Sequence, residues 1–292
     1  MTYKLVTFCL LSLASQNLMA EATPTESTSS VATAKISTSV NDLKSEGEAK
    51  KFSLDLDLSS DSNLRSTSDP AYQANSSITL SPAYKFNSLI SISGKAGLDQ
   101  KLYADQKTEL ANTSIKLSFS PFNLDESRAA TLFLSGVLPT NETDRLQNSF
   151  QGAAGAGADF TQKYFTLGIR ENGQAKLTLS ALKNFHQFES SSEFVPNISY
   201  RIRETADMSQ DITKKLSVEV IGYYQTGFTY NNDLKTFFHL EENLQYAATK
   251  QIAFYIGHAN EANALQNNGI DSNISLYDAY TSTYKAGTTI SF

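Results

Sequence analysis

From residue 51 onward, large apolar and polar side chains alternate with a period of two, and this property restricts the fold more than any other. Phe52, Leu54, Leu56 and Leu58 alternate with Ser53, Asp55, Asp57 and Ser59. Successive side chains of an extended strand point to opposite faces, so this segment is apolar on one face and polar or charged on the other. The pattern returns at Ile78 and Leu80, at Ile90 and Ile92, and at Ile115, Leu117 and Phe119. It continues at Leu132 and Leu134, Leu177 and Leu179, and Ile198, Tyr200 and Ile202. The last examples are Leu216, Val218 and Val220, Phe238 and Leu240, Ile252, Phe254 and Ile256, and the run from Tyr284 through Ile290 to Phe292. No convincing amphipathic helical period interrupts them, so the class is all-β.

The connections sort into two kinds. Short ones fall near residues 85–88, 171–174, 213–215 and 248–251, with a longer one at 121–128. Between them lie mostly longer polar loops at 60–73, 99–108, 139–149, 185–196, 231–234 and 260–280. Short turns on one side and long loops on the other are the layout of an up-and-down barrel in an outer membrane. The alternation counts to about twelve strands, with both ends of the barrel on the short-turn side. One segment strains the count. Ala154, Ala156, Ala158 and Phe160 share a face, while Phe165, Leu167 and Ile169 have the opposite parity. A bulge near Gln162 reconciles them within one long strand.

An open sheet of this size would leave edges that recruit other chains. In lipid, every backbone N–H and C=O needs an internal partner, and a closed barrel supplies one without helices. A mean hydropathy of −0.31 suggests a soluble secreted protein. A soluble sandwich would bury its apolar faces as a core, however, and its long loops would not all fall on one side. The expectation is therefore a transmembrane barrel over residues 51–292 in contact with outer-membrane lipid.

The N-terminal segment differs. Lys4 precedes a short apolar run at 5–13, and Ala20-Glu21-Ala22 follows. The run is too short for a membrane helix, which needs roughly 20 residues. A charged start, a short apolar core and a small-residue site predict a secretory signal over 1–20, cleaved after Ala20 or Ala22. Cys9 lies in the apolar core and leaves with the signal. Residues 21–50, rich in Ser, Thr, Ala and Glu, predict a low-complexity periplasmic leader.

At the other end, Lys285-Ala286-Gly287-Thr288-Thr289-Ile290-Ser291-Phe292 resembles the terminal strand signal of Gram-negative outer-membrane β-barrel proteins. The resemblance implies that Gly287, Ile290 and Phe292 form an assembly signal read by the barrel-assembly machinery. It covers the last strand in detail and names no narrower family. Phe52, Tyr84, Phe119, Tyr224, Tyr246 and Tyr284 are candidates for interfacial aromatic girdles.

If the apolar parity faces lipid, the other parity lines a lumen. It contains Asp55, Asp57, Lys95, Lys116, Lys176, Arg201, Arg203, Glu219, His239, Glu241 and Lys285. The cations cluster on the third to eighth strands and the acids on the first, ninth and tenth, with Lys285 as the exception. One consequence is a water-filled pore with a transverse field, in which Arg201 and Arg203 could grip a carboxylate or phosphate. The alternative is a lumen closed by pairs such as Arg203 with Glu219 and Lys285 with Asp57. Glu204 and Glu242 fall on the lipid parity, which requires an interface, a bulge or a neighbouring barrel.

No catalytic or metal site is expected. The histidines read His186-Gln187-Phe188, His239-Leu240-Glu241 and His258-Ala259-Asn260, with neither His-x-Ser nor Asp-x-His. The net charge of −6 gives no nucleic-acid footprint, and no cofactor is implied. The expected function is passive diffusion of small polar solutes through a charged outer-membrane channel. A non-conducting surface or adhesin-like barrel, acting through loop residues such as Tyr277 and Tyr280, is the alternative, and an outer-membrane enzyme comes third.

Overall fold

The computed structural model describes residues 51–69, 71–103, 106–165, 172–266, 271–278 and 280–292. The signal segment with Cys9, the leader at 21–50, and Leu167 and Ile169 lie outside the described residues. The strands are β1 (Phe52–Asn63), β2 (Ala74–Lys85), β3 (Ile90–Lys101), β4 (Thr108–Leu110), β5 (Thr113–Asn123) and β6 (Arg128–Leu138). A short helix, α1 (Glu142–Gln147), precedes β7 (Phe150–Phe165), β8 (Gly173–His186), β9 (Ile198–Asp211) and β10 (Leu216–Thr229). Then come β11 (Leu234–Ala247), β12 (Ile252–Asn263) and β13 (Ser282–Ser291). Among the described residues, strand β4 pairs only with β3 and leads into β5, so the two act as one interrupted wall strand. Neighbours in sequence pair antiparallel, β13 returns to β1 with Ile290 opposite Leu56, and the β2–β3 pairing completes the ring. The result is a closed up-and-down barrel of twelve wall strands, as the alternation predicts.

Burial along each strand is inverted relative to a soluble protein. Leu80, Leu134, Phe160, Leu179, Phe254 and Ile256 are exposed, whereas their neighbours Thr79, Phe133, Asp159, Ser81 and Tyr255 are buried. Each Å² of that outer apolar surface would cost roughly 25 cal/mol in water. Against hydrocarbon the cost vanishes, and ring closure leaves no strand edge in the lipid.

Four short turns share one device. Asn87, Asp125, Thr213 and Thr249 each occupy the second turn position, and each side-chain oxygen accepts the backbone N–H groups two and three residues on. These are the residue types whose short side chains mimic a backbone turn. Asp125 also accepts from the Ser127 hydroxyl, which contributes most to holding its carboxyl below the ordinary carboxylate range. The turn expected at 121–128 is shorter than the sequence suggests. Strand β5 runs to Asn123, and a register shift between Phe119 and Phe122 masks its continuation.

Strand β7 is the long bulged strand the parity change demands. The irregularity falls between Lys163 and Phe165, where Tyr164 takes a φ of 57°, two residues beyond the expected Gln162. In β2, Pro82 has no N–H to donate, and the β2–β3 register resumes at Ala83 opposite Ser93.

Candidate functional site

The parity that faces away from lipid carries the lumen charges singled out in the sequence, and the structure supplies partners for most of them. Arg201 and Arg203 sit on β9, next to β10. Arg203 donates from Nε and Nη2 to the Gln225 amide oxygen at 3.0 and 2.6 Å. Its guanidinium lies 4.3 Å from the centroid of the Tyr223 ring. Tyr223 stacks on His239 with ring centroids 5.0 Å apart and 9° between planes. Three planar groups from β9, β10 and β11 are thus layered along the wall.

Below that stack the acids are tied together. His239 lies between two carboxylates, with Nε2 at 3.0 Å from Glu241 and Nδ1 at 3.1 Å from Glu261. Glu241 also accepts from Asn243 at 2.6 Å and pairs with Lys285 across the intervening β12. The same Asn243 amide reaches Glu219 at 3.2 Å. Burying a carboxylate is tolerable only when its lone pairs are satisfied this way. The pairs suggested by sequence, Arg203 with Glu219 and Lys285 with Asp57, are therefore not the ones formed. Asp57 instead accepts from the Tyr255 hydroxyl at 3.1 Å and the Thr289 hydroxyl at 3.0 Å.

On the other side of the barrel, Lys116 and Lys176 both pair with Asp159, at 2.8 and 3.4 Å. Thr178 donates to the same carboxylate at 2.7 Å, and Lys116 lies 3.8 Å from the Phe133 ring centroid. Asp159 was not among the residues singled out, although it stands between Ala158 and Phe160 on the polar parity. Lys95 on β3 interacts electrostatically with Asp57, Asp99 and Glu241, so it belongs with the acids rather than with the other cations. Asp55, on β1, stands opposite Ser291 and Ser81 in register.

Two glycines make room for inner side chains. A Cβ on Gly157 would fall 2.3 Å from the Phe133 ring, and one on Gly287 would fall 2.5 Å from the Tyr255 ring. The tip of each ring occupies the space a Cβ would take, which provides a physical reason for Gly157 and Gly287.

On the outer face, β11 keeps its register around Glu242 without a bulge. Glu242 Oε1 lies 3.1 Å from His258 Nδ1. His258 stacks on Tyr277 with ring centroids 6.0 Å apart, and the Tyr284 ring meets it at a tilt of 55°, 5.5 Å away. It is therefore a residue of the outer face, not of the lumen or a loop. Glu204, exposed on β9, faces Tyr224 in register.

No protein-family model and no curated protein sequence matches the chain. Solved structures do. The NanC porin superposes with a TM-score of 0.53 at 10% identity, covering 81% of this chain and 98% of that one. The COG4313 outer membrane channel from Pseudomonas putida F1 gives 0.55 at 10% identity, covering 82% and 95%. At such identity the likeness is one of fold. That fold, with its outer surface of exposed Leu, Ile and Phe, places the chain in the outer membrane.

Proposed function

We propose that this barrel is an outer-membrane channel for passive diffusion of small hydrophilic solutes, with a transverse field across its lumen. The observation that carries this is the partnering of Arg203. A guanidinium held by a neutral amide and a tyrosine face keeps an uncompensated field, whereas pairing with a carboxylate would cancel it. Strand β9 stands five strands round the ring from β1, whose Asp55, Asp57 and Asp61 carry the opposite sign. A solute with separated charges would be oriented between them. Lys116 and Lys176 share one acid and add positive potential beside β9, while Lys95, Glu219 and Glu241 belong to the acidic side. Two solved channels of the same fold are consistent with this role. We also propose that Gly287, Ile290 and Phe292 serve as the assembly signal.

The test is solute influx into proteoliposomes. Zwitterionic amino acids and small neutral sugars should enter far faster than into protein-free vesicles, and Arg201→Ala/Arg203→Ala should change the ratio of zwitterion to neutral influx. No influx through a correctly folded barrel would refute the proposal and favour the non-conducting alternative.

A further inference from the structure

The outer face of β11, β12 and β13 breaks the lipid parity at its long-loop end. Thr236, Phe238, Asn260 and Ser282 all stand on the parity of Leu244, Ile256 and Tyr284, yet they are buried, Phe238 to 2% and Asn260 and Ser282 to 0%. Asn260 and Ser282 are covered by the described part of the β12–β13 connection, residues 271–278 and 280–281, which lies against the outside of the wall. Asn260 donates its amide to the Ser275 carbonyl at 2.8 Å and accepts from the Thr281 hydroxyl at 2.5 Å. The Ser282 hydroxyl accepts from Asp278 N–H at 2.9 Å, and Tyr277 stacks on His258. Asn273 N–H bonds the Ala264 carbonyl at 2.9 Å, which folds the segment onto itself.

The height of this strap follows from strand geometry. A tilted strand climbs about 2.6 Å per residue, so the hydrocarbon band of about 25 Å spans about ten residues. Asn260 lies eight residues above Ile252, the foot of β12, which puts the strap backbone at the upper boundary of the band. Irregular backbone is excluded from the hydrocarbon but accepted at the boundary, where headgroups and water satisfy it. The strap turns Leu276, Tyr277 and Tyr280 outward, each more than half exposed. Tyrosine, with an apolar ring and a polar tip, suits that boundary. Asp271 and Asp278 are the charged residues of 271–281, which contains no lysine or arginine to grip lipid phosphates directly.

We infer that residues 271–278 and 280–281 form a membrane-facing strap whose Leu276, Tyr277 and Tyr280 insert among outer-leaflet lipids at the headgroup boundary. On this basis the loop is part of the lipid contact of the barrel, not a solvent-borne recognition loop. The strap also accounts for His258 and Glu242. Their polar groups meet at its lower edge, where the Tyr277 ring overlies the imidazole.

The chain contains no tryptophan, so Leu276→Trp introduces a single indole. Two references bracket it: Ile256→Trp on the open wall, and Phe194→Trp in the 187–197 loop, where Phe194 is 89% exposed. Each variant is reconstituted into vesicles with and without phosphatidylcholine brominated near the headgroup end of its chains. Heat-modifiable gel mobility checks folding. The inference predicts a Leu276→Trp emission blue-shifted from that of Phe194→Trp, quenching by the brominated lipid, and several-fold weaker acrylamide quenching. An indole as open to acrylamide as Phe194→Trp would overturn it. So would a blue-shifted indole insensitive to brominated lipid, because protein would then cover the strap.

Discussion

Placing a methyl group at Gly287 should unseat Tyr255. The added Cβ would lie 2.5 Å from the ring and 2.7 Å from the Leu58 carbonyl oxygen, where real contacts exceed 3 Å. Strand β13 is held on both sides, so the ring is the part that moves. Overpacking of this kind costs about 1–3 kcal/mol. Displacement also breaks the 3.1 Å bond from the Tyr255 hydroxyl to Asp57, worth about 1.5–3 kcal/mol for a charged acceptor. Replacing a strand glycine offsets about 0.5–1 kcal/mol. Gly287→Ala should therefore destabilise the barrel by about 2–5 kcal/mol. Made in Tyr255→Ala, the same change meets only the Leu58 carbonyl and should cost about 1 kcal/mol, giving a coupling of about 2 kcal/mol. Urea unfolding in lipid vesicles, followed by gel mobility and strand circular dichroism, measures the cycle. Additive variants, with a coupling below about 0.5 kcal/mol, would show that the ring does not rest on the glycine.

Three further outcomes follow from the inner wall and the turns. Asp159→Asn leaves Lys116 and Lys176 without their shared carboxylate, and should cost about 1–3 kcal/mol while raising the anion share of any current. Glu241→Gln removes the partner of Lys285 and His239 together, and the loss should approach the 3–5 kcal/mol typical of a broken buried pair; a loss no larger than for Glu204→Gln on the outer face would contradict the network. Thr249→Val removes one acceptor serving two backbone N–H groups and should lower stability by about 1 kcal/mol. Thr249→Asp should recover it, because either oxygen can close the turn.

Much of the barrel is written in the period of two, because lipid outside and polar groups inside keep each strand in one parity. The short turns are legible for a similarly local reason, since Asn87, Thr213 and Thr249 close them within three residues. The order fails where the backbone leaves it. Phe122 continues β5 across a register shift, and Tyr164 absorbs the parity change of β7. Which residues share the inner face is readable, but who pairs with whom is not. Lys285 reaches Glu241 over β12, and Lys116 reaches Asp159 over β6, so both pairs depend on the stagger between strands. Asp159 is legible by the same parity, between Ala158 and Phe160. The burial of Asn260 could not be read, because Ser275 and Thr281, 15 and 21 residues along the chain, meet it only after folding.

The most direct test is single-channel conductance of the refolded chain in a planar bilayer under a salt gradient, with Arg201→Ala/Arg203→Ala and Arg203→Lys alongside. The account predicts stable current, a reversal potential displaced toward cation permeability in the double alanine variant, and little displacement in Arg203→Lys. A silent bilayer from a barrel with native gel mobility, or a current indifferent to both arginines, would contradict it.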